Sequence, residues 1–249
     1  MLIGPAPGGG WACVLQADHA VMVGEIADAL GSDVIGGVPP RAVVDAAYGH
    51  ELGWRGHPEV VFNPETGLPL TALEEPLGDL LPLQLEGPRL LGEQDPTAGL
   101  LSSLKHMDRY EEPRPWALIR ARYRTIRRFR AASKRLQRDL RKRSSIDPVL
   151  EPWAAVMVDF SDRVWHAMLG RREGTCWELP LPGENGQTKL ELRARGSDWE
   201  IDPWPFRVSS LSISGPARIL EHRLPDQKAL DQAFEEASVI DLRFNLTRP

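Results

Sequence analysis

Near Thr175 the periodicity of apolar residues changes, and that change constrains the fold more than any other feature of the chain. Upstream, apolar side chains recur at spacings of three and four, the signature of helices that bury one face. Downstream, "KLELRARGSDWEIDPW" alternates on both sides of a Gly-Ser-Asp turn, which predicts a hairpin. "SSLSIS" and "VIDLRFNLT" alternate as well, with a short helix "DQKALDQAFEEAS" between them. The pattern predicts an α+β protein. A mostly helical N-terminal domain would cover residues 1–172, and a C-terminal antiparallel β region, 173–249, would pack on it.

Within the first part, "WACVLQ" reads as a short strand. "DHAVMVGEIADALG" reads as a helix with Asp18 as N-cap and Gly31 as its stop. Pro39 and Pro40 open a second helix, "PRAVVDAAYGHEL", which ends at Gly53 and so carries His50 and Glu51 in its last turn. "LGDLLPLQLEGPRLLGEQ" is helical in pattern but predicted to break at Pro82 and Pro88. Asp95 and Pro96 start a helix that holds His106, and "PVLEPWAAVMVDFSDRVWHAMLG" supplies another that holds His166. The longest regular pattern runs from about Pro115 to Arg143, with an apolar stripe of Trp116, Ile119, Tyr123, Ile126, Phe129, Ser133, Leu136 and Leu140.

Composition removes several function classes. A net charge of −5 gives the whole chain no attraction to nucleic acid or to an anionic membrane. Two cysteines, Cys13 and Cys176, are too few for a disulfide framework, so a reducing cytoplasm is expected. The N-terminus lacks a basic leader, and no apolar run approaches the roughly 20 residues that span a bilayer. Phosphate-binding glycine loops, nucleophile elbows and dinucleotide fingerprints are also missing.

The chemistry rests on histidines. His19, His50, His106 and His166 fall on four different predicted helices, and helical scaffolds build metal sites from inward side chains on several helices. Glu51 adds an anionic ligand beside His50. Each histidine also has an ordinary reading. His50 can complement the negative end of its helix, His19 can be a solvated first-turn residue, His106 can sit on a polar face, and His166 can be a hydrogen-bonded core residue.

The segments "VLQADHA", "AAYGHELGWRGHPEVVFNPETGLPL", "GLLSSLKHMDRY", "DPWPF" and "VIDLRFNLTRP" together resemble a bacterial family defined only as a domain of unknown function. That family in turn resembles the HD-domain metal-dependent phosphohydrolases. The resemblance implies an HD-like helical bundle in which His19, the dyad His50–Glu51 and His166 hold a metal, with His106 near a further family histidine. Two departures stand out: the dyad is His-Glu where the pattern has His-Asp, and His166 stands where the pattern has an aspartate. A set of histidines with one carboxylate suits Zn, Fe, Mn or Ni better than Mg.

The reaction so implied is hydrolysis of a phosphate ester on a small-molecule substrate. Glu51, Arg55 and His57 are its candidate catalytic residues, with Arg55 and His57 neutralising substrate charge. Trp54 and "DPWPF" either wall the pocket or pack the loops. Two other readings stay open on the same scaffold: a non-catalytic binding or regulatory protein, and an iron-dependent oxygenase. Residues 114–143 carry thirteen Lys or Arg against one acid, Asp139, which hints at nucleic acid. Packing of that helix against an acidic remainder explains the same charge.

Overall fold

Strand pairing begins at the chain's first residues. The computed structural model describes residues 1–110, 120–183 and 186–249. Strands β1 (Leu2–Pro5) and β2 (Trp11–Val14) form a hairpin. Its loop contains Gly8, Gly9 and Gly10, all at positive φ, where a side chain would be strained. Five helices follow: α1 (Gln16–Ala29), α2 (Arg41–Gly49), α3 (Leu77–Gln94), α4 (Pro96–Asp108) and α5 (Arg120–Arg141). A minimal hairpin, β3 (Phe62–Asn63) and β4 (Leu68–Pro69), lies between α2 and α3. The sixth helix, α6 (Glu151–Leu169), leads into β5 (Thr175–Pro180), β6 (Gln187–Arg195), β7 (Asp198–Asp202) and β8 (Ser210–Leu220). Helix α7 (Gln227–Glu236) and strand β9 (Val239–Thr247) end the fold.

Seven strands make one sheet in the order β1-β2-β8-β9-β7-β6-β5. Its neighbours are antiparallel except β7 and β9, which run parallel. The hairpin expected at Gly196 is β6–β7, with Arg195 opposite Asp198 and Gly196 at φ 64°.

This topology corrects the expected architecture. The chain does not begin as an HD-like helical bundle followed by a β region. It begins as β, and helices α1–α6 are inserted between strands of one sheet. The reason is non-local. Trp11, Ala12 and Cys13 pair with Leu220, Ile219 and Arg218 of β8, so the second edge of β2 is satisfied only by a partner about two hundred residues away. A four-residue strand beside a glycine run carries almost no periodicity of its own.

Two further expectations change. Helix α3 continues through Pro82 and Pro88. It packs on α4, α5 and the turn Leu52–Trp54, and that packing outweighs the roughly 3 kcal/mol that each internal proline costs. On α5, Ile126, Phe129, Ser133 and Leu140 are buried as expected, but Gln137 joins them and Tyr123 is 55% exposed. Pro115, Trp116 and Ile119 of the predicted stripe lie outside the described residues.

The main core lies between α1, α6 and the sheet. Trp165 of α6 is completely buried and its indole N–H meets the Met22 sulfur of α1 at 3.3 Å. Trp153 donates to the Ile35 carbonyl at 3.0 Å. These contacts lock α6 against α1 and fix the side chains that face between them.

Candidate metal centre

Four segments converge here: the first turns of α1, the end of α2, the last turns of α4, and the C-terminal half of α6. The end of α2 is held tightly. A side chain at Gly53 would overlap the Leu83 carbonyl of α3, so only glycine lets the turn after His50 lie on that helix. His50 Nδ1 donates to the Ala47 carbonyl at 2.6 Å, which satisfies one orphan carbonyl of the helix end. The carbonyl of His50 itself, just past the last helical residue, accepts from His106 Nε2 at 3.0 Å. His50 is therefore a helix cap, and its capping bond leaves the Nε2 lone pair free and aimed inward.

That Nε2 lies 3.3 Å from His19 Nε2 and 3.2 Å from Glu51 Oε1. The centre of the cluster is Asp162 on α6. Its Oδ1 is 2.9 Å from His19 Nε2, 3.3 Å from His166 Nε2 and 3.9 Å from His50 Nε2. Its Oδ2 is 2.9 Å from Lys105 Nζ. Ligand atoms of His19, His50 and Asp162 all lie within 4.8 Å of one another, so one ion could touch all three. Asp162 Oδ1 is buried and surrounded by imidazole nitrogens, yet none meets it in hydrogen-bond alignment. His19 Nε2 instead has hydrogen-bond geometry with His50 Nε2 at 3.3 Å, which leaves Asp162 Oδ1 without an aligned donor. His19 Nδ1, on the far side of its ring, is also buried and unpaired. Trp165 packs edge-on against that ring, with centroids 4.5 Å apart.

The electrostatics suit ligation. Burial pushes His19 down to about 4, more than the neighbouring Asp162 pulls it up, and His50 and His166 lower it further. Its imidazole is neutral at pH 7. Burial alone would raise Asp162, but Lys105, His166 and His19 outweigh it and hold the carboxyl well below its ordinary range. Glu51 behaves alike: burial opposes ionisation, while His50, Lys105 and His106 together depress its pKa. Ionised carboxylates and neutral imidazoles are the protonation states a metal requires.

The site residues read from sequence are placed as follows. His19, His50, Glu51 and His166 meet around Asp162. His106 stands outside the cluster, its Nε2 donating to the His50 carbonyl at 3.0 Å. Arg55 is exposed, and His57 packs against Trp54 with ring centroids 5.3 Å apart. Trp54 lines the cleft above the cluster, whereas Trp204 packs on Phe206 and donates to the Val208 carbonyl. Asp162 went unrecognised in the sequence. The signal was Asp162-x-x-x-His166, two ligand types four residues apart on one helix face. The carboxylate missing at position 166 stands one turn earlier.

A cleft of about 490 Å³ opens over this cluster. Glu51, Asp162 and His166 form its floor, and Lys105, Arg109, Arg163 and Arg172 also line it. Asp159, on the same wall, is raised by burial although Arg163 lies 2.6 Å away. Among the described residues, no helix is long and apolar enough to cross a membrane.

A family model described as "Protein of unknown function (DUF3891)" matches residues 1–222, which include every member of this cluster. No curated protein and no solved structure matches the chain.

Proposed function

The chain belongs to this family of unknown function, and we propose that it is a metal-dependent hydrolase of a phosphorylated small molecule. One observation carries the reading: the buried Asp162 Oδ1 sits among the Nε2 atoms of His19, His50 and His166 without an aligned hydrogen bond. The likeness to HD-type phosphohydrolases is here a likeness of ligand types, not of fold. It is supported by histidines and a carboxylate from separate helices meeting at one point.

In this reading His19, His50, His166 and Asp162 hold a divalent ion, with Glu51 beside them. The donor set favours Zn, Fe, Mn or Ni over Mg. When bound, such an ion polarises a phosphoryl oxygen and acidifies a water. The protein supplies the rest. Glu51, ionised and 3.2 Å from His50 Nε2, can accept a proton at the cleft floor. Arg109 and Arg172 line the cleft and can offset phosphate charge. Lys105 steadies Asp162 through Oδ2, and Trp54 and Trp177 shield the floor from water.

Elemental analysis of protein purified without chelator tests this directly. About one transition metal per chain is expected, lost in His50→Ala with the circular dichroism unchanged. Phosphate release from a panel of phosphomonoesters then tests turnover. Metal-free wild-type protein that also takes up no added Zn or Mn would sink the proposal.

A second reading has an observation of its own. Lys105 already balances Asp162 at 2.9 Å, so the charge of that carboxylate is met without an ion. A non-catalytic binding protein on this scaffold would show bound ligand without turnover. An iron oxygenase would announce itself by iron content and colour.

A further inference from the structure

Helix α5 carries a row of cations that the metal centre does not use. Arg124, Arg127, Arg128, Arg135 and Arg138 are all exposed. At 3.6 residues per turn they fall within a sector of roughly 100°, and 14 residues at 1.5 Å spread them over about 21 Å. Opposite that sector, Ile126, Phe129, Ser133, Gln137 and Leu140 are buried against the protein. Among the described residues the row has no counter-ions. The ion pairs on this helix are Arg141–Glu151 and Lys142–Asp139, both at its C-terminal end. Among the described residues, packing against an acidic remainder therefore does not neutralise these five arginines. Like charges at three- and four-residue spacing repel, so the row weakens its own helix unless something anionic covers it.

We infer that this face binds the phosphate backbone of a nucleic-acid duplex. Three features select that partner. The cations form a straight, rigid row, which suits a polymer of regularly spaced phosphates better than a single small anion. All five are arginines, whose guanidinium forks match phosphate oxygens. An amphipathic helix that binds a membrane must insert its apolar side, and here Ile126, Phe129 and Leu140 are committed to the core, at 6%, 5% and 0% exposure. Contacts to the backbone alone carry no sequence preference, so binding would be general.

The test uses the full chain and fluorescein-labelled 20-base-pair duplexes of DNA and of RNA, followed by anisotropy from 50 to 200 mM NaCl. Binding to at least one duplex is expected. If about four phosphates are engaged on DNA, the log–log salt slope is about −3.6. The variant R124Q/R127Q/R128Q/R135Q/R138Q, checked for a melting temperature no lower than the wild type's, is expected to bind at least tenfold more weakly with a shallower slope. Two arms discriminate the source, since a DNA or an RNA preference tells which backbone fits. Absence of binding to both duplexes at 50 mM NaCl overturns the inference, as does unchanged affinity in the variant. Stronger binding to phosphatidylserine–phosphatidylcholine vesicles than to either duplex also overturns it, in favour of a membrane surface. None of these outcomes depends on metal content, so the hydrolase proposal stands or falls separately.

Discussion

His19 Nε2 lies 2.9 Å from Asp162 Oδ1, although 143 residues separate them in the chain. The contact exists because Trp165, three residues past Asp162, packs on the His19 ring and on Met22 one turn further along α1. Core packing thus sets the ligand geometry. Trp165→Ala is expected to cost about 3–5 kcal/mol in urea unfolding. It is also expected to lower metal occupancy at pH 7, because His19 loses its wall. Full occupancy in a folded Trp165→Ala protein would show that the indole does not position the ligand.

Asp162 faces two clients at once, the histidines through Oδ1 and Lys105 through Oδ2. In chelator-treated protein, Asp162→Asn leaves Lys105 buried without its partner, at a cost of about 3 kcal/mol. Adding Lys105→Met removes the stranded charge, so the double variant is expected to be more stable than the sum of the singles by 1 kcal/mol or more. Additivity within about 0.5 kcal/mol would mean that the pair is not coupled. The same Lys105→Met change, with Asp162 intact, leaves the ligand set in place and so preserves metal binding if the ion itself neutralises Asp162.

Much of this site was legible residue by residue but not as a site. The capping signals at Asp95–Pro96 and Pro39–Pro40 placed the starts of the helices that lead to His106 and His50: the Asp95 carboxylate accepts from Thr97 and Ala98, while α2 starts at Arg41 but ends at Gly49, not at Gly53, with His50 as its cap and Glu51 beyond it. Four histidines on four predicted helices pointed to convergence. What spacing cannot give is which nitrogen faces which neighbour. His106 differs from the other three only because its Nε2 meets a backbone carbonyl. β2 was legible as a short strand in "WACVLQ", but β1 was not, and neither was the pairing of β2 with β8, which lies far along the chain. Tyr123 fits an ideal apolar stripe by number, yet the stripe on α5 shifts to include Gln137, whose amide donates to Ser103.

Metal binding should also be visible as stability. An ion that binds only the folded state adds about 2.7 kcal/mol at a hundredfold excess over its Kd. At roughly 2–4 °C per kcal/mol for a chain of this size, the melting temperature should rise by about 5–10 °C between EDTA and excess Zn. In His50→Ala the rise is expected to disappear. A similar rise in that variant would place the ion elsewhere.

Burial gives the stripped protein a definite pH dependence. His106 is pushed down to about 4 from an ordinary 6.5, by desolvation first and by Lys105 second. As pH falls, the unfolded chain therefore takes up the proton before the folded one. The contribution is present in full above pH 6.5 and is lost as pH drops towards 4, by about 3 kcal/mol at 1.36 kcal/mol per pH unit. His19 adds a loss of the same sign. His106→Gln is expected to flatten the stability–pH curve between pH 6.5 and 4 without abolishing it. An unchanged slope would mean that His106 is already protonated in the folded state.

The two cysteines should separate cleanly by reactivity. Cys13 is 2% exposed in β2, and burial pushes its thiol up to about 12, so almost no thiolate forms at pH 7.5. Cys176 is exposed on β5 and lines the cleft above the histidine–aspartate cluster. Iodoacetamide on native protein is expected to label Cys176 alone, and peptide mass spectrometry reads the site. Cys13 should become reactive only in denaturant, together with loss of the β1–β2 hairpin's pairing to β8. Because Cys176 shares the cleft with His166 and Lys105, a bulky maleimide there should slow metal exchange with the cluster while leaving the fold intact. Equal labelling of both thiols in native protein would show that β2 opens readily, and exchange unaffected by the maleimide would put the ion's route on another side of the cluster.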